Sequence, residues 1–142
     1  MLASSCQKPH DHIKKTVPFK AEFATTAIIV QAGPPELDSI TGQGDGSPVG
    51  KSSLIAQSQF DADGNLTGTL IFTTANGDKI FCTDQGHAPD IDENGDITLH
   101  FESTIKGGAG KFAGATGTLS ATALGSIYTS EGSVSFDGTI TY

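Results

Sequence analysis

Four small groups of residues have the types and spacing to do chemistry. The acidic turn "DIDENGDI" (90–97) begins as a calcium loop begins, D-x-D-x-N-G, with Asp90, Asp92, Asn94 and Gly95 in the first six places. Calcium takes six to eight oxygens, and the helix-loop-helix version completes its shell with a bidentate glutamate at place twelve. Place twelve here is Phe101, and a strand pattern follows it. The reading is an acidic hairpin turn, with a weak calcium site of Asp90, Asp92, Asn94 and Asp96 as the alternative; "DADGN" (61–65) has the same grammar. His100 and Glu102 share one side of a strand, close enough for an acid/base pair. Leu99 and Phe101 hold the other side, so an inward apolar face turns His100 and Glu102 to water. In "KIFCTD", Cys82 has Asp84 as its near neighbour, and a carboxylate does not lower a thiol pKa, so Cys82 reads as a buried thiol rather than a nucleophile. Cys82, Asp84 and Tyr142 lie in phase with Ile80 and Ile140, which makes them the polar groups with a claim on an interior. His10, Asp11 and His12 could touch a transition metal, but in a polar, period-free stretch they lack a preorganised shell and read as solvated.

The stretch "GGAGKFAGATG" (107–117) carries five glycines around Lys111 and Phe112. A phosphate loop needs G-x-x-x-x-G-K-[ST] between a strand and a helix. Here Phe112 follows the lysine, and "TLSATALGS" beyond it is a strand pattern. The dinucleotide fingerprint fails as well: Gly114 comes one place too late, and no helix offers its N-terminus. What remains is a tight turn with Phe112 tucked inward.

The elements that hold these groups follow a period of two. Val17, Phe19, Ala21 and Phe23 alternate with wetter residues, and so do Leu66, Leu70 and Phe72 in "LTGTLIF". Ile97, Leu99, Phe101 and Ile105 form one face of "ITLHFESTI"; Val134, Phe136, Ile140 and Tyr142 line the last run. Asp63-Gly64, Asn76-Gly77 and Asn94-Gly95 sit between runs, at hairpin tips that need positive φ. "QAGPPELDSITGQGDGSPVG" (31–50) reads as a long crossing over one end, with a short strand around Leu37 to Thr41. The expectation is an all-β fold, an antiparallel up-and-down barrel of about eight strands, with a two-sheet β-sandwich as the alternative. Residues 1–16 form a tether and a signal-peptide remnant, and 17–142 form the barrel domain.

Eight lysines plus arginines against 16 acidic residues, a net charge of −8, argue against nucleic acid or an anionic membrane surface as a partner. No run approaches the ~18 apolar residues of a spanning helix. "MLASSC" resembles the end of a bacterial lipoprotein signal, which would make Cys6 the acylated residue, although Ala3 stands where leucine is usual. With two cysteines, one disulfide at most can form, and none if Cys6 is acylated.

"GGAGKFAGATG" also resembles the G-G-[TA]-G-[RK]-F-x-G-A-x-G segment of allene oxide cyclase-like and dirigent-like barrels, and "ANGDKIF" (75–81) and "GSVSFDGTITY" (132–142) are similar to small bacterial members of that group. The resemblance covers roughly 17–142. It implies that Phe112, with Gly110 and Gly114 around it, closes the barrel floor. Where such relatives carry Thr-His-Leu-Gly-Lys, this chain has "SPVGK", keeping Gly50 and Lys51 but not the histidine. No catalytic residue carries over by motif.

The function expected is therefore that of an exported, envelope-associated or secreted lipoprotein, non-enzymatic, that binds a small apolar molecule or serves an interaction role, without a cofactor. A cyclase or isomerase acting on a hydrophobic substrate in the lumen is the second expectation. The third is a self-assembling subunit, with Ile55, Ile71, Leu124 and Tyr128 as its homo-oligomeric contact.

Overall fold

The computed structural model describes residues 13–142. Cys6, His10, Asp11 and His12 lie outside the described residues. Nine strands follow one another: β1 (Thr16–Gln31), β2 (Glu36–Ser47), β3 (Ser52–Phe60), β4 (Leu66–Thr74), β5 (Lys79–Gly86), β6 (Asp90–Ile91), β7 (Asp96–Ala109), β8 (Thr116–Ser126) and β9 (Glu131–Thr141). Eight of them pair antiparallel with their chain neighbours; β5 reaches past β6 to β7, and β9 returns to β1. The hydrogen-bonded ring is closed, so it is a barrel and not a sandwich, and closure leaves no long free edge. The ninth strand, β6, pairs only with the first part of β7, Asp90 opposite Thr98 and Ile91 opposite Ile97.

Three hairpins share one five-residue loop. In each, the fourth residue is a glycine at positive φ (Gly64 82°, Gly77 90°, Gly95 83°), and its N–H donates to the carbonyl of the first residue. The first residue's side chain fixes the loop. Asp61 Oδ1 accepts the N–H groups of Asp63 and Asn65, and Asp92 Oδ1 those of Asn94 and Asp96, all at 2.9 Å. Thr74 Oγ1 accepts the N–H of Asp78 at 3.1 Å. Short polar side chains that bond their own backbone favour such turns, and glycine enters the left-handed region at no steric cost.

Most of the segment expected to cross over one end is the full-length strand β2, which contains the short strand expected around Leu37 to Thr41 and extends it. Its glycines misled because they look like loop punctuation. Gly42, Gly44 and Gly46 fall in phase on the inner side of β2, beside Phe23 and Ala21 of β1. A Cβ at Gly44 would overlap the Glu22 carbonyl oxygen and the Phe23 ring. The strand gives up its inward side chains where the facing strand carries phenylalanine.

One end of the barrel, the floor, holds the start of β1, the turns at 48–51 and 75–78, the segment 110–115 and the end of β9. The half nearest it is solid. Phe72 meets Phe19 at 5.4 Å, Phe23 at 5.5 Å and Phe136 at 5.0 Å between ring centroids, tilted or edge-on, the arrangements that add roughly 0.5–1.5 kcal/mol per pair beyond area burial. Phe112, in a single 3-10 turn (Gly110–Phe112), is fully buried and lies edge-on to Tyr142 at 4.8 Å. Gly110 and Gly114 hold the positive φ angles on either side of it, 68° and 75°.

Outside, the barrel is wet. Thr69, Thr83, Thr104, Thr118 and Thr139 stand directly opposite one another across five successive strands of the ring, a β-branched row that suits both pleat and water. The same register sets Ile55, Ile71 and Phe81 in a second row across β3, β4 and β5, with Ile55 54% and Phe81 38% exposed. Leu124 and Tyr128 stand apart from that row, near the other end. Among the described residues no helix is long and apolar enough to cross a membrane.

Candidate functional site

Away from the floor the inward residues become small along stretches of three strands. On β1 the inner face passes from Phe19, Ala21 and Phe23 to Thr25 and Ala27; on β3 it passes from Leu54 to Ala56 and Ser58; on β8 from Leu119 and Ala121 to Ala123 and Gly125. Side chains of that size cannot meet across an eight-stranded barrel, so the lumen opens. The result is a cavity of about 990 Å³, within the range of small-molecule sites, whose mouth is ringed by the loops 32–35, 61–65, 87–95 and 127–130. Its base is Leu54, Leu70 and Phe136, and its walls include Leu66, Leu99 and Phe101.

Carboxyl groups interrupt this apolar surface. Asp84 of β5 is 5% exposed and lines the cavity. The Ser103 hydroxyl, itself fully buried on neighbouring β7, donates to Asp84 Oδ1, which leaves Oδ2 to the lumen. Burial pushes the Asp84 carboxyl up to about 6, against the opposing pull of the Ser103 hydrogen bond. On β2, Glu36 and Asp38 are two residues apart on the inner side and both line the cavity. Burial and the neighbouring Glu36 push the Asp38 carboxyl up to about 6. Asp38 Oδ1 is buried without a hydrogen-bond partner among the described residues. Asp38 stands opposite Ile29 of β1 and Ser58 of β3.

Of the three polar groups expected to share the interior, only Asp84 lines the cavity. Cys82 is one inward position nearer the floor, buried in the core cluster, and burial with the Asp84 charge pushes its thiol well above the usual range, so it is no nucleophile at neutral pH. Tyr142 packs on Phe112 at the floor. Being in phase places residues on one face, but strand register spreads them along the barrel axis. His100 and Glu102 point outward, and His100 Nδ1 lies 3.1 Å from Thr122 Oγ1. In the acidic turn, Asp92 spends one oxygen on its own loop, Asp90 lies in β6, and Asn94 and Asp96 donate to Asp92 through their backbone. Among the described residues no three His, Cys, Asp or Glu groups converge to hold a metal ion.

Glu36, Asp38 and Ser103 were not anticipated. Glu36 and Asp38 lie at the start of the segment expected as a crossing; the short strand around Leu37 to Thr41 takes in Asp38, but only the register turns both carboxyls to the lumen. Ser103 was visible as the one polar residue in phase with Leu99, Phe101 and Ile105.

No protein-family model matches this chain, and no curated protein matches it. Among solved structures, that of the pterocarpan synthase dirigent protein GePTS1 is similar over 98% of this chain and 97% of its own, with a TM-score of 0.58 and 17% sequence identity. The likeness is one of fold: this chain has the dirigent-like, closed eight-stranded barrel.

Proposed function

We propose that the chain is a binding barrel that takes one small, largely apolar molecule into the half-empty lumen. The observation that carries this reading is the division of the barrel into a phenylalanine-filled base and an open, apolar half with carboxyl groups set into its wall. A barrel that needed only to fold would fill both halves, since packing to native density stabilises it. The test is native mass spectrometry of the full chain purified gently from cells. A mass above that of the polypeptide, released on denaturation and lost in Ala123→Phe, is the expected result; a bare mass in both proteins overturns the reading.

A second reading rests on Asp84. A carboxyl pushed up to about 6 in the largely apolar wall of an open lumen is poised for general acid/base work, as a cyclase or isomerase acting on a hydrophobic substrate would need. The barrel relative of similar fold is itself a synthase by name. Asp84→Asn then keeps the bound molecule but stops its conversion; conversion at an unchanged rate removes this reading.

We place the protein at the cell envelope, exported and anchored through Cys6, on the sequence "MLASSC". A mature N-terminal peptide carrying acyl mass on Cys6 is the expected finding, and an unmodified Cys6 in membrane-free protein overturns it. The outward row Ile55, Ile71 and Phe81 is the surface through which copies of the chain would associate.

A further inference from the structure

We infer that the molecule held in the lumen is an organic cation, an ammonium group on an apolar body, seated between Asp84 on one wall and the Glu36–Asp38 pair on another. The inference rests on the binding reading above and narrows it to a ligand class.

The first argument is the inventory of charge. Glu36, Asp38 and Asp84 line the cavity, with Asp61 and Glu131 nearer the mouth, and no lysine or histidine lines it; the chain has no arginine at all. Two lysines with acidic or hydroxyl partners find them away from the lumen: Lys20 lies 3.3 Å from Asp137 on the outer surface, and Lys79 donates to Thr73 at 3.1 Å near the floor. The lumen carboxyls therefore have no internal counter-charge among the described residues.

The second argument is what those carboxyls lack. Burying a carboxylate without a partner costs several kcal/mol in general, and a protein ordinarily supplies an ion pair or several N–H donors. Asp84, nine-tenths buried and more, receives one hydroxyl on one oxygen. Asp38 Oδ1 receives nothing. A carboxyl in the lumen wall with one oxygen still unpartnered, as Asp84 has, selects a ligand that brings donors, and a positively charged donor adds Coulomb attraction to the hydrogen bond. An anionic ligand would meet repulsion from both walls. The lining includes aromatic side chains as well, Phe60 and Phe101 along the walls, Phe136 at the base and Tyr128 in a mouth loop, and aromatic rings attract ammonium groups.

The test uses three probes with one apolar body: 2-(2-naphthyl)ethylamine, 2-(2-naphthyl)ethanol and 2-naphthylacetate. The chain has no tryptophan, so naphthyl fluorescence anisotropy reads binding directly. At pH 8 the amine is protonated and carboxyls that titrate near 6 are ionised. The expected result is that the amine binds at least about tenfold more tightly than the alcohol, and the acetate most weakly. The preference of amine over alcohol falls to about threefold or less in Asp38→Asn with Glu36→Gln, and separately in Asp84→Asn. A far-ultraviolet spectrum and a thermal unfolding transition like the parent's certify that each variant is folded. Alcohol binding equal to amine binding in the unaltered protein, or an amine preference that survives both sets of substitutions, overturns the inference and leaves the binding reading standing. No binding of any probe at millimolar concentration overturns both.

Discussion

At the scale of single residues, Asp84 is where folding and function pull apart. Its folded carboxyl titrates near 6, against about 3.9 in an unfolded chain, so the native state holds the proton more tightly than the denatured one. That stabilisation is fully present below about pH 4 and is lost as pH rises through 6, which leaves the ionised form at neutral pH a burden on the order of 2–3 kcal/mol. Asp84→Asn keeps an acceptor for the Ser103 hydroxyl and removes the charge. The variant and the parent should match in urea stability at pH 4, and the variant should become more stable, by about 1–3 kcal/mol, at pH 7.5. A difference that does not change between those two pH values would show that the site is better hydrated than its burial implies. A residue that weakens its own protein at working pH is the kind that selection keeps for another reason.

At the scale of elements, the glycines of β2 and those of the hairpin loops do opposite work, and substitution separates them. Gly44 has ordinary strand conformation but no room; Gly77 has positive φ and nothing within 4 Å of its missing Cβ. Gly77→Ala should cost about 1 kcal/mol of backbone strain. Gly44→Ala has to displace Phe23 or part β1 from β2, and overpacking of that kind costs about 1–3 kcal/mol or more. Equal costs in thermal denaturation would mean that the β1–β2 seam is looser than its register indicates. The same contrast explains what could be read from the sequence. The alternations of Phe19 to Phe23, Leu66 to Phe72 and Val134 to Ile140 announced strands, because a half-buried strand writes its two faces into the chain. The barrel followed from them and from the Asp-Gly and Asn-Gly tips. Only the first part of β2, around Leu37 to Thr41, reads as a strand, since the glycines of the inner face beyond it carry no hydrophobic signal, and nothing in the pattern shows that Glu36 and Asp38 line a lumen. The cavity was half legible: the shrinkage from Phe23 to Ala27 is there to be read, but only the register shows that Ala56 and Ala123 shrink at the same height.

At the scale of the whole molecule, the exposed row of Ile55, Ile71 and Phe81 sits on the side of a barrel that otherwise shows water mostly serine, threonine and glutamine. If copies meet there, Ile71→Lys, at the centre of the row, should reduce sedimentation to that of a single 14.6 kDa chain with an unchanged far-ultraviolet spectrum. An identical sedimentation profile for parent and variant would remove the row from any assembly. The barrel also has a direction along its axis. β1 enters at the floor, and Lys15 and Tyr142 exchange backbone hydrogen bonds there at 3.1 Å, so both ends of the described chain leave from the sealed base. Anything attached at either end, a surface, a bead or a fused protein, grips the cup by its foot, and the rim stays free to fill and empty.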